Sequence, residues 1–225
     1  MPNHISNEII IHSDNYQEAL DYMRTDNVDD YGKKYTRHFD FNKIKQMPEE
    51  LNIESSTSAT AAHILYLQIN NIPVHPKYNY SPMNYNFVNR YRDEYDMRPG
   101  SKMYELGKQV HTNWEKYGYP NWYEWSYANW GTKWNAYTTK YTSDRSVYFE
   151  SAWGAPLDIV EGFIHKFKLT CTYRAICEGS ILWFIREYEN GTPISIRDQL
   201  PEDHRQLYID LRGYDPEEED EEDEE

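Results

Sequence analysis

The stretch SVYFESAWGAPLDIVEGFIHKFKLTCTYRAIC, residues 146–177, decides the fold. Its first eight residues read as a strand. Pro156 then falls in the first turn of a helix, where its missing N–H costs nothing. Leu157, Val160, Phe163, Ile164 and Phe167 recur at three- and four-residue steps, which makes one helix face apolar. Asp158 and Glu161 lie near the N-terminus of that helix, Lys166 and Lys168 near its end, matching the helix dipole. The period then switches to two: Leu169, Cys171, Tyr173, Ala175 and Cys177 share one side of a second strand.

Downstream, Gly179 breaks the strand and ILWFIREYE (181–189) returns beside it. Asn190-Gly191 is a hairpin signal, so TPISI (192–196) adds an edge strand. DQLPEDHRQLYIDLRG (198–213) ends the pattern with a short helix. Upstream, KWNAYTT (133–139) pairs with 146–153 through a polar loop. At the other end of the chain HISNEIIIHS (4–13) reads as a strand. Asp14 and Gln17 resemble a capping box, and Tyr16, Ala19, Leu20 and Met23 follow at helical spacing. HFDFNKI (38–44) alternates like a short strand, with Phe39 and Phe41 on one face.

Between these halves the pattern turns helical. STSATAAHILYLQIN (56–70), NYNFVNRYRDEY (84–95) and SKMYELGKQVHTNWEKYG (101–118) each carry helical spacing, and Gly118 suits a C-terminal cap. The expected fold class is therefore α+β. It is a single ferredoxin-like domain over residues 1–213, one antiparallel sheet with two helices on one face and a helical insertion at about 45–130.

Residues 121–137, NWYEWSYANWGTKWNAY, are dense in aromatics. Asn121 with Glu124 resembles a helix start, and Gly131 fits its end. Trp122 and Trp125 share one stripe of that helix; Tyr123, Tyr127 and Trp130 share another. Most such clusters are core. Trp122, Trp125, Trp130 and Trp134 are thus expected to be structural, with Trp134 packing beneath the helix from the next strand.

Several of these strings together resemble the YubB-like family of phage and plasmid proteins with a ferredoxin-like domain. They are NHISNEIII (3–11), FDFNKIKQMPEEL (39–51), the aromatic stretch 121–137, FESAWGAPLDIVEGFIHKF (149–167) and REYENG (186–191). The resemblance implies that fold and a mobile-element origin. It brings no catalytic residues with it.

The net charge of −15 is unevenly spread: Asp215 and Glu217 through Glu225 supply ten of the negative charges and leave the body at −5. So dense a run of like charge buries nothing, and residues 214–225 are expected to form a disordered acidic tail. The body lacks the clustered Lys and Arg that duplex DNA demands. Its 22 tyrosines favour wet contact surfaces instead. Cys171 and Cys177, roughly 20 Å apart along one strand, are beyond disulfide reach and read as core thiols in a reducing compartment. No signal peptide opens the chain, and no apolar run approaches the roughly 20 residues of a membrane span, so a location in the host cytoplasm is expected.

Motifs of chemistry are missing. There is no GxxxxGK[ST], GxGxxG, CxxC or HExxH. The eight histidines show no i,i+4 pair, and they read as surface or hydrogen-bonded residues rather than metal ligands. No catalytic residue, metal or cofactor is expected. One compact basic cluster stands out: Lys33, Lys34, Arg37 and His38, with Tyr31 and Tyr35 interleaved. Of these, Lys33, Lys34, Arg37 and Tyr35 are the candidates for holding a nucleotide or single strand, with tyrosines stacking on bases. The leading expectation is a non-enzymatic accessory protein that binds and inhibits a host protein with a basic surface, a component of anti-phage defence. Acidic character and abundant tyrosine fit that better than they fit nucleic acid.

Overall fold

The structure, a computed structural model, describes residues 3–29 and 31–215. The chain divides into two compact units, one of Met1–Gln46 with Ser126–Glu225, the other of Met47–Trp125.

The first unit opens with β1 (His4–Ile11) and α1 (Tyr16–Met23), followed by a small hairpin of β2 (Thr25–Val28) and β3 (Lys34–Arg37). Four helices come next in the chain: α2 (Thr57–Ile69), α3 (Pro82–Tyr91), α4 (Lys102–Tyr117) and α5 (Trp122–Trp130). The remainder is β4 (Tyr137–Ser143), β5 (Ser146–Ala152), α6 (Leu157–Phe167), β6 (Cys171–Cys177), β7 (Trp183–Glu189), β8 (Thr192–Asp198) and α7 (Pro201–Arg212). The class is α+β. Six strands form one antiparallel sheet in the order β4-β5-β1-β6-β7-β8.

Strand β1 lies inside the sheet and is buried almost throughout, which is why HISNEIII carries so few charges. On one face Phe149 of β5 stacks on Phe39 with ring centres 4.6 Å apart, and Phe163 of α6 meets Phe39 edge-on at 5.3 Å. Helix α1 meets the end of α6 through Tyr22 against Phe167, and through the Asn15 amide, which donates to the Phe167 carbonyl. On the opposite face Leu207, Tyr208 and Leu211 of α7 cover Tyr148 and Ile176. Arg174 locks α7 down: its guanidinium holds Glu8 of β1 at 2.7 Å and Asp210 of α7 at 2.5 Å. Within the core, Tyr173 donates to the Asn7 side chain at 2.8 Å, and the Asn7 amide donates to Ile5 and Ser151. A buried amide with partners on every side costs little. Cys171 and Cys177 are buried free thiols, as their spacing on one strand predicts, and burial pushes the Cys171 thiol up to about 12.

Four local expectations are corrected. Residues 38–44 are not a strand: Asp40 accepts from the Asn42 N–H and caps a single 3-10 turn at Phe41–Lys43. Residues 133–136 are not strand either, since β4 begins at Tyr137. Asp14 does not cap α1; its N-cap is Asn15, which makes no side-chain cap bond. The folded body runs past residue 213, for Tyr214 hydrogen-bonds Tyr208 and Arg205 grips Asp215 at 2.6 Å. The acidic run 216–225 lies outside the described residues.

In the second unit, Ser56 caps α2, Ser81 and Asn84 form a reciprocal capping box on α3, and Ser101 caps α4. Gly118 ends α4 in the left-handed conformation, φ +75°. Helices α2 and α4 pass unusually close at Gly107. A Cβ there would collide with the Ala62 carbonyl and the Tyr66 side chain. Asn113 of α4, fully buried, donates to the carbonyls of Glu50 and Pro120 and so fixes both connecting segments.

Candidate functional site

Three places collect the residues that carry chemistry. The first is the hairpin β2–β3, which holds the basic cluster. Its turn is shaped by Asp29, whose carboxylate accepts from the N–H groups of Tyr31 and Lys33 at 3.0 and 2.8 Å. Gly32 takes the left-handed conformation at φ +80° that lets the strand return. Lys33, Lys34 and Tyr35 are exposed along one strand and its turn. Arg37 is tied down instead: its Nε donates to the Ala136 carbonyl at 2.9 Å and its guanidinium reaches the Tyr35 hydroxyl. The four predicted residues therefore share the hairpin but differ in availability. Tyr31, which the sequence already sets beside them, is 96% exposed at the turn, and Val28, 60% exposed, joins them. Carboxylates are interspersed. Asp26, held below the usual carboxylate range by its bond from Thr36 and by Arg24, shares a strand face with Val28 and Lys34, while Tyr35 and Arg37 lie on the other.

The second place is the aromatic stretch. Trp125 and Trp130 are buried, as expected of core residues. Trp130 donates its indole N–H to the Lys45 carbonyl at 2.8 Å and meets Phe41 edge-on. Trp122 is half-buried. Trp134 departs from expectation: it is 38% exposed and lies ahead of β4, with the Lys133 ammonium 4.7 Å from its ring. The structural residue at the end of this string is Asn135. Its side chain bonds the Phe41 N–H and the Asp40 carboxylate, pinning the 3-10 turn.

The third place was not legible in the sequence. In the second unit, α2 and α4 bring His63 and His111 together, Nε2 to Nδ1, at 3.3 Å. Tyr80 closes on the other nitrogen of His63. His63 is fully buried, and desolvation, helped by His111, drops its pKa to about 3. It is therefore neutral at pH 7. Burial raises the Tyr80 phenol far above its ordinary value, so Tyr80 keeps its proton. Tyr80, neutral His63 and His111 thus form one hydrogen-bonded row, in which the His63 tautomer sets which partner donates. Beside this chain, the Tyr78 hydroxyl and the Lys77 ammonium both bond Glu115, at 3.2 and 2.7 Å. Tyr78 and Tyr80 also line a cleft of about 380 Å³, whose other walls include Trp114, Ser56, Thr57 and Glu124. Desolvation raises the Glu124 carboxyl.

Among the described residues no group of three or more His, Cys, Asp and Glu side chains is placed to hold a metal ion. Nor is any described helix long and apolar enough to cross a membrane.

No family model and no curated protein matches the chain. Among solved structures it is similar to the protein api92 from Yersinia pseudotuberculosis, described under DUF1281. The two share 8% identity over 89% of this chain and 99% of that one, with a TM-score of 0.42, a likeness too slight to carry an argument.

Proposed function

We propose that the protein is a non-enzymatic binding protein that occupies the surface of a partner protein through its β2–β3 hairpin. The observation that carries this is the exposure of Val28, Tyr31 and Tyr35 on one short hairpin. Large rings left in water are the side chains that fill partner pockets, where Tyr is enriched among the few residues that dominate binding energy. The Asp29 bonds to the Tyr31 and Lys33 N–H groups and the Arg37 tether fix the backbone that carries them, which lowers part of the ordering cost of association.

The fold belongs to the same proposal. The β4-β5-β1-β6 order places one strand between β1 and β4, and one between β5 and β6, as a ferredoxin-like sandwich requires. In that reading α1 and α6 lie together on the Phe149 face, supported by the Tyr22–Phe167 contact, while β7, β8 and α7 are additions. The YubB-like resemblance supplies the context: a mobile-element protein acting on a host protein of anti-phage defence. The net charge of −15 steers encounter with a target of basic surface at long range, while exposed Lys33 and Lys34 call for acidic groups where the hairpin itself docks.

The rival reading, a nucleotide or single strand held by Lys33, Lys34, Arg37 and Tyr35, is weakened by the engagement of Arg37 and by Asp26 and Asp29 on the same hairpin. A pull-down from host lysate with the intact chain, with and without nuclease, separates them. A protein retained after nuclease, and lost when Tyr31 and Tyr35 are both changed to Ala, supports the proposal. Recovery of nucleic acid alone contradicts it.

A further inference from the structure

The cleft of the second unit carries a separate inference, independent of the hairpin. We propose that it binds a neutral saccharide of one or two rings. Its volume of about 380 Å³ falls at the lower end of the range for small-molecule clefts, roughly 300–1,000 Å³.

The lining chemistry points to this ligand class. Tyr78, Tyr80 and Trp114 form one wall; the Tyr78 ring centre is 5.9 Å from Tyr80 and 5.4 Å from Trp114. Tyr78 is buried and tilted against both neighbours, so the half-buried Tyr80 and Trp114 rings are the ones that offer apolar surface to the C–H side of a sugar. The other side offers Ser56, Thr57, Asn84 and Asn121. Hydroxyls and amides both donate and accept, as sugar hydroxyls do. No Lys, Arg or His lines the cleft, so a phosphate or carboxylate would find no cation. Glu124 is the one charged side chain that lines the cleft, and its carboxylate accepts from sugar hydroxyls as readily as it meets a cation. The Tyr80 ring is also fixed in advance. The bond between Tyr80 and fully buried His63 holds that ring before any ligand arrives.

Saturation-transfer NMR on the intact chain tests this with glucose, N-acetylglucosamine and cellobiose, beside choline and glucose 6-phosphate as charged comparators. The expected result is transfer to a neutral sugar at millimolar concentration and none to the charged probes. Trp114→Phe should weaken the sugar about tenfold, and Thr57→Val, which removes one exposed hydroxyl, about threefold. If Trp114→Phe fails to fold, Thr57→Val still decides. Transfer to no sugar, preference for choline that Glu124→Gln abolishes, or preference for glucose 6-phosphate would each overturn the proposal.

Discussion

The Nε–H of Arg37 donates to the carbonyl of Ala136 at 2.9 Å, joining the end of the hairpin to the residue just ahead of β4. One residue on, the His38 N–H donates to the Thr139 hydroxyl at 2.8 Å. Together these bonds fix the base of the hairpin while its turn stays in solvent. Arg37→Ala should therefore cost about 1–2 kcal/mol of stability, as the loss of a charge-assisted bond does. Thermal melts check this. If Arg37 instead served as a phosphate clamp, the melting temperature would hold and only anion affinity would fall.

The tryptophans divide by burial. Trp130→Ala removes a buried ring and leaves the Lys45 carbonyl without its donor, for an expected loss of about 3–5 kcal/mol. Trp134→Ala, at a ring 38% exposed, should cost under about 1 kcal/mol. Denaturant titrations of both variants measure the contrast, and equal losses would contradict it.

What could be read from the sequence follows from periodicity. Residues 146–177 were legible because Leu157 to Phe167 keep a helical period and Cys171 to Cys177 keep a period of two, with capping and dipole charges agreeing. The β2–β3 hairpin escaped because TDNV and KYTR are four-residue, half-exposed strands with no apolar face. Its one local cue is Asp29 followed by Gly32. Phe39-Asp40-Phe41 misled in the opposite way: the alternation imitates a strand, yet both rings reach the core from a capped turn. His63 and His111 stand 48 residues apart, and only the close crossing at Gly107 unites them. Of the candidate site, the sequence therefore located the basic residues with Tyr31 and Tyr35, and missed Val28 and the whole cleft.

The second unit should lose stability in acid. His63 titrates near 3 in the folded chain but near its ordinary 6.5 when unfolded, so the unfolded state binds the extra proton between those values. Stability is full above about 6.5 and falls by up to about 1.4 kcal/mol per pH unit towards 3. Melting curves from pH 7 to 4 should show the decline, and His63→Gln should flatten it. A decline of equal slope in the variant would place its origin in other groups.

Asp215 sets where the chain can be shortened. Arg205 grips its carboxylate through two nitrogens, at 3.1 and 2.6 Å. Ending the chain after Tyr214 should cost about 0.5–1 kcal/mol relative to ending it after Asp215, as for a well-placed surface ion pair. Paired melts of the two truncations give the difference; identical curves would show the pair to be energetically silent.

The most direct test of the account is the affinity of the partner recovered after nuclease treatment, measured by calorimetry against the wild type and the Tyr31→Ala/Tyr35→Ala double variant. The account predicts a loss of about 100-fold or more with a nearly unchanged melting temperature, because Tyr31 is 96% exposed and Tyr35 gives up only an exposed 3.4 Å bond from Arg37. Unchanged affinity in a folded double variant would contradict it.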